Sequence, residues 1–133
     1  RALGAISQRG RDFAGQAGPA QTFTPINVWD LRLKAGRAAS LDVPEGHNAV
    51  LVALNDTVRV NGTDDVPASR YVVFGQTGGG ISVEAQAEDV KCLVLTGVPL
   101  DEPIAGYGPF VMNTEDEIRQ AFADYQQGRF GTM

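Results

Sequence analysis

The run Ile81-Ser82-Val83-Glu84-Ala85-Gln86-Ala87-Glu88-Asp89-Val90-Lys91-Cys92-Leu93-Val94-Leu95 decides the fold class. Ile81, Val83, Ala85 and Ala87 alternate with Ser82, Glu84, Gln86 and Glu88, the period-two pattern of a half-exposed strand. Glu88-Asp89 turns the chain, and Cys92 to Leu95 predicts a buried strand running back. Working outward, Ala49 to Leu54 is apolar at every position, as in a strand covered on both faces. Ser40 to Val43, Thr57 to Val60 and Tyr71 to Phe74 are further strand candidates. Between them stand the turns Pro44-Glu45-Gly46, Asn55-Asp56 and Asn61-Gly62, the last tolerant of positive φ at both residues. Upstream, Ile26 and Val28 alternate with Asn27, then Trp29, Leu31 and Leu33 take over as the apolar set. Such a phase flip predicts a bulge or a bend between sheets. Many short strands punctuated by Gly, Pro and Asn predict an all-β sandwich or barrel.

The chain has 133 residues, enough for one domain with a real core. Its apolar content is 43%, ordinary for a globular protein. Lys and Arg number 11 against 16 Asp and Glu, a net charge of −5. That balance excludes a broad phosphate-neutralising face, so no direct nucleic-acid partner is expected. Arg1, Arg9 and Arg11 concentrate positive charge near the start, without interleaved aromatics for base stacking. No apolar run approaches the roughly 20 residues of a bilayer span, so no membrane partner is expected. Arg1 to Gly10 lacks the apolar stretch of a secretion leader. Cys92 is the sole cysteine, which suits a reducing compartment, and a cytoplasmic location is expected.

One helix is expected, near 114–128. Thr114 can cap its start, with Glu117 three residues on to complete a capping box. Glu115 and Asp116 place negative charge at the positive end of the helix dipole. Ile118, Ala121, Phe122 and Tyr125 share one face, and Gly128 terminates the helix. Just before it stands Gly106-Tyr107-Gly108-Pro109-Phe110-Val111-Met112, apolar, aromatic and punctuated by Gly and Pro. It fits either an ordered connection packed on the β domain or an interface. Tyr107, Phe110, Met112, Phe122 and Tyr125 are the candidate interface residues.

The block Pro103-Ile104-Ala105-Gly106-Tyr107-Gly108-Pro109-Phe110-Val111-Met112-Asn113-Thr114, with Gly128-Arg129-Phe130-Gly131 after the helix, resembles the C-terminal signature of the pirin family. Thr24-Pro25-Ile26-Asn27-Val28-Trp29-Asp30-Leu31, Pro44-Glu45-Gly46-His47-Asn48 and Asn61-Gly62 resemble it in the same order. Pirins are two-domain cupin proteins. The resemblance implies a cupin-type double-stranded β-helix, a jelly-roll barrel with one C-terminal α-helix. Residues 1–22, rich in Gly, Ala and Gln with weak periodicity, are expected to be an N-terminal segment or linker, and 23–133 a pirin-type C-terminal cupin domain. In the family the metal, usually Fe(II), belongs to the N-terminal cupin, and some members act as quercetin 2,3-dioxygenases or transcriptional co-regulators. No cofactor is expected in this chain. The expected partners are the metal-bearing N-terminal cupin or a second copy.

Metal-binding cupins present His-x-His, a later Glu and another His. Here His47 occupies the first position and is the weak metal candidate. Ala49 stands where the second His belongs, and Leu54 or Asn55 where the Glu belongs. A catalytic metal needs about three or four inward ligands, which this spacing does not supply. Cys92 in an apolar strand is expected to be an inert buried thiol. Gly78-Gly79-Gly80 precedes a strand and lacks a nearby Lys, so a hairpin loop is expected rather than a phosphate cradle. Asp64-Asp65 and Asp101-Glu102 sit in turn-like contexts as solvated acids. The expected function is therefore a non-catalytic, metal-free domain with a structural or interaction role beside a metal-binding cupin. An iron-dependent, quercetinase-like dioxygenase and a small-molecule-binding cupin remain the alternatives.

Overall fold

The structure, a computed structural model, describes residues 22–131 and, before them, the backbone of three short strands. In chain order the strands are β1 Ile6–Gln8, β2 Asp12–Phe13, β3 Gln16–Ala17, β4 Ile26–Leu33, β5 Ala38–Val43, β6 Asn48–Ala53, β7 Val58–Val60, β8 Asp64–Val66, β9 Arg70–Phe74, β10 Gly79–Ala85, β11 Val90–Gly97, β12 Ala105–Tyr107 and β13 Phe110–Met112. The helix α1 spans Glu115–Gln126. The chain divides into two compact units, Arg1–Pro99 and Leu100–Met133. Among the described residues no helix is long and apolar enough to cross a membrane.

The first unit is an all-β cupin-type sandwich. One antiparallel sheet has the order β1-β4-β11-β6-β9, the other β5-β10-β7-β8. The non-sequential neighbours are those of a jelly roll: from β4 to β11 the chain alternates between the two sheets, except at the β7–β8 hairpin. Trp29, Leu31 and Leu33 on β4, Ala49, Leu51 and Ala53 on β6, and Val90, Cys92 and Val94 on β11 form one wall of the core. Leu41 and Val43, Val58 and Val60, and Ile81, Val83 and Ala85 form the other. The alternation in the sequence thus becomes an inside and an outside.

Three expectations change at this level. The phase flip in β4 is not a bulge, because Ile26 to Leu33 pairs with Gly97 to Val90 in unbroken register. Ile26 and Val28 are apolar residues on the outer face of a regular strand. Nor is β6 covered on both faces: Val50 and Val52 are half-buried on the outside, and the strand stops before Leu54. Third, Asp64-Asp65 is a strand rather than a turn. It forms β8, paired to β7 through Val60↔Asp64 and Val58↔Val66. The turn between them holds Asn61 and Gly62 at φ of 50° and 73°, the left-handed region that these two residue types enter most readily.

The second unit is a hairpin with a helix packed on it. β12 and β13 pair through Tyr107↔Phe110, turning at Gly108-Pro109. The helix begins with the expected capping box: Thr114 Oγ1 accepts from the Glu117 amide at 3.3 Å, and Glu117 Oε2 accepts from the Thr114 amide at 2.8 Å. It ends in a Schellman closure. Gly128, at φ 70°, donates its N–H to the Tyr125 carbonyl, and Arg129 donates to that of Asp124.

Candidate functional site

The inner wall of the five-stranded sheet turns polar at one end. Asn27 on β4 lies opposite Thr96 on β11, and Thr96 lies opposite Ala49 on β6. His47 precedes Ala49 by two residues, just before β6 begins. His47 and Thr96 are the buried polar residues among the described residues, at 9% and 3% exposure. Asn27 Nδ2 donates to Thr96 Oγ1 at 3.1 Å, a side-chain bond across the β4–β11 ladder. The His47 amide donates to the Pro44 carbonyl, closing the Pro44-Glu45-Gly46 turn. Its buried Nδ1 has no hydrogen-bond partner among the described residues.

One imidazole, one hydroxyl and one carboxamide are not the donor set of an iron site, which asks for several imidazoles and a carboxylate. The position two residues beyond His47 is Ala49, a methyl group 1% exposed in the inner wall. The next inner positions, Leu51 and Ala53, are also apolar and fully buried. Fe(II) therefore does not fit the residues at this end.

Cys92 is fully buried, and burial, helped by Asp30, pushes its thiol up to about 12 from the ordinary 9.0. It is not a nucleophile at neutral pH. Asp65 accepts from Arg59 Nε at 2.8 Å and Nη2 at 3.1 Å, which holds its carboxyl below the usual range. Glu102 accepts from Asn113 Nδ2 at 2.7 Å. Gly78, at φ 73°, packs so closely on the backbone of Glu45 that an added Cβ would stand 2.7 Å from its Cα. The glycine is there for close approach of two loops.

The second unit collects the candidate interface residues. Phe110 meets Phe122 edge-on at 4.9 Å, Tyr125 at 6.3 Å and, stacked, Phe130 at 5.6 Å. Tyr107 meets Phe122 at 5.7 Å. Phe110, Phe122 and Met112 are half-buried, whereas Tyr107, Tyr125 and Phe130 are 71%, 65% and 60% exposed. Pro109, Phe110, Phe122, Tyr125 and Phe130 line an open apolar hollow of about 570 Å³. Phe130 joins this cluster without standing on the helix. The helical periodicity that found Phe122 and Tyr125 could not reach it.

A sequence profile of the pirin C-terminal cupin domain matches residues 28–131. The chain belongs to the pirin family. As a pirin C-terminal cupin domain it is 46% identical over 113 residues to a Pseudomonas aeruginosa protein named "putative quercetin 2,3-dioxygenase", covering 85% of this chain and 39% of that protein. It is 33% identical over 124 residues to pirin-like protein 2 of Arabidopsis thaliana, covering 88% of this chain and 39% of that one. The crystal structure of quercetin 2,3-dioxygenase from Acinetobacter baumannii matches with a TM-score of 0.86 and 43% identity, over 98% of this chain and 45% of that chain. The pirin domain thus spans about two fifths of the length of these curated relatives.

Proposed function

We propose that this pirin domain is a non-catalytic, metal-free interaction module that packs on a metal-bearing cupin. The supporting observation is the make-up of its inner wall. Where a metallocupin presents a second imidazole, this chain presents Ala49, and the strand continues with Leu51 and Ala53. The aromatic face of the helix–hairpin unit supports the interaction role. Tyr107, Phe110, Phe122 and Tyr125 offer large rigid apolar area, the composition of an interface core. The quercetinase-like alternative draws on the names of relatives more than twice the length of this chain, whose catalytic equipment can lie in the rest of them.

The test is association with a separately expressed metal-bearing cupin half of a pirin, followed by titration calorimetry. Saturable binding that Tyr125→Ala and Tyr107→Ala each weaken about tenfold or more is expected, because truncating a hot-spot aromatic typically costs about 2 kcal/mol or more. Quercetin oxygenation by this chain alone, with stoichiometric iron, would support the enzyme instead.

A further inference from the structure

The four ends of the two sheets are not alike. β1 is three residues long. β5 carries Ser40 and Asp42 at exposed positions. β8 is three residues long and begins Asp64-Asp65. Short length and charge are the usual means of blunting an edge against pairing with another chain. β9 has neither. It reads Arg70-Tyr71-Val72-Val73-Phe74, pairs with β6 on one side in unbroken register, and ends the sheet order. It holds one charge, at its first residue, and neither Pro nor bulge.

The outer face adds a second observation. Register places Val28, Leu95, Val50 and Val73 in one row across four strands. The next row is Asp30, Leu93, Val52 and Tyr71. The apolar rows end at β9 with Val73 at 64% and Tyr71 at 69% exposure, aromatic and β-branched residues standing in water at an open ladder. Between that edge and β7–β8 of the other sheet lies an open cleft of about 510 Å³, lined by Val60, Asp64, Val66, Arg70, Val72 and Phe74.

We propose that β9 is a self-pairing edge: two copies of this chain join antiparallel about a two-fold axis at Val72. The strand suits its own image. Tyr71 falls opposite Val73 of the second copy, and Val73 opposite its Tyr71, an aromatic–β-branched pair favoured across strands. The outer apolar row then continues unbroken into the second sheet. Arg70 falls opposite Phe74 of the second copy, so the two arginines sit four residues apart along the ladder, on the order of 13 Å, and do not repel strongly. The proposal is independent of the aromatic face of the helix–hairpin unit.

Sedimentation of the full chain over about 1–300 μM tests it, with a register test by disulfide trapping. A mixture of the Tyr71→Cys and Val73→Cys chains should cross-link at least tenfold more than either alone. Directly opposed Cα atoms lie about 4.5–5.5 Å apart, within disulfide range, whereas like positions are offset by two residues and lie beyond about 7 Å. Cys92 is fully buried and stays silent. Val73→Lys should raise the dimer Kd more than tenfold with little change in melting temperature, since Val73 is already mostly exposed. A monomer at every concentration overturns the proposal. So does a dimer indifferent to Val73→Lys, equal cross-linking in all three samples, or loss of the dimer on Val111→Lys in the hairpin instead.

Discussion

Phe110→Ala probes the helix–hairpin unit at its centre. Phe110 is the residue that three other rings share, at 4.9, 5.6 and 6.3 Å. Truncating a fully buried Phe costs about 3–5 kcal/mol. Phe110 is half-buried, so the transfer and cavity contribution is roughly half of that, and the lost edge contacts overlap with it. The expected loss is about 2 kcal/mol. α1 is the only helix among the described residues, so helical ellipticity during urea titration reports this unit. At a slope of about 1–2 kcal/mol per molar, the midpoint should fall by about 1–2 M. Phe110→Leu keeps most of the apolar volume and should lose less than half as much. A Phe110→Ala midpoint within about 0.3 M of the parent would refute the packing role assigned to this ring.

Thr114→Ala removes the capping oxygen and leaves the Glu117 amide without it; the same titration should show a loss of about 1 kcal/mol. Gly128→Ala forces a side chain into φ 70° at the helix end and should cost about 1 kcal/mol, whereas Gly128→Asn should cost less. Cys92 should resist a thiol reagent in the native state at pH 8 and react fully in denaturant. Its folded pKa is raised, so the unfolded thiol ionises first. Stability should therefore hold up to about pH 9 and then fall, by up to about 1.4 kcal/mol per pH unit, until about pH 12. A chemical-denaturation series from pH 7 to 11 checks the sign, with Cys92→Ala as the control that flattens this component.

Inner-face positions were the most legible part of the chain. Trp29, Leu31 and Leu33, and Ile81, Val83 and Ala85, alternate strictly and all become core. Legibility failed where apolar residues also occupy the outside. Val28, Val50 and Leu95 belong to an outer apolar row, and periodicity alone cannot separate that from a bend or from a strand covered on both faces. Asp64-Asp65 hid β8, because acids are depleted in strands and this strand is held by its hairpin and by the Arg59–Asp65 pair. Gly108-Pro109 hid the β12–β13 hairpin behind loop-forming residues. The helix was legible to its caps, since capping box, dipole charge and terminal Gly are all local signals. Of the polar end, His47 and Ala49 were visible as a departure from the metallocupin pattern. The burial of Nδ1 and the Asn27–Thr96 pair were not, because they depend on cross-strand register.

The most direct measurement is the metal content of the purified chain after anaerobic incubation with Fe(II) and desalting, by plasma mass spectrometry, for the parent and for His47→Ala. Well under 0.1 equivalents of iron in both, about the background of a single-imidazole site, is the expected result. One iron per chain in the parent, lost on His47→Ala, would contradict the interaction-module account.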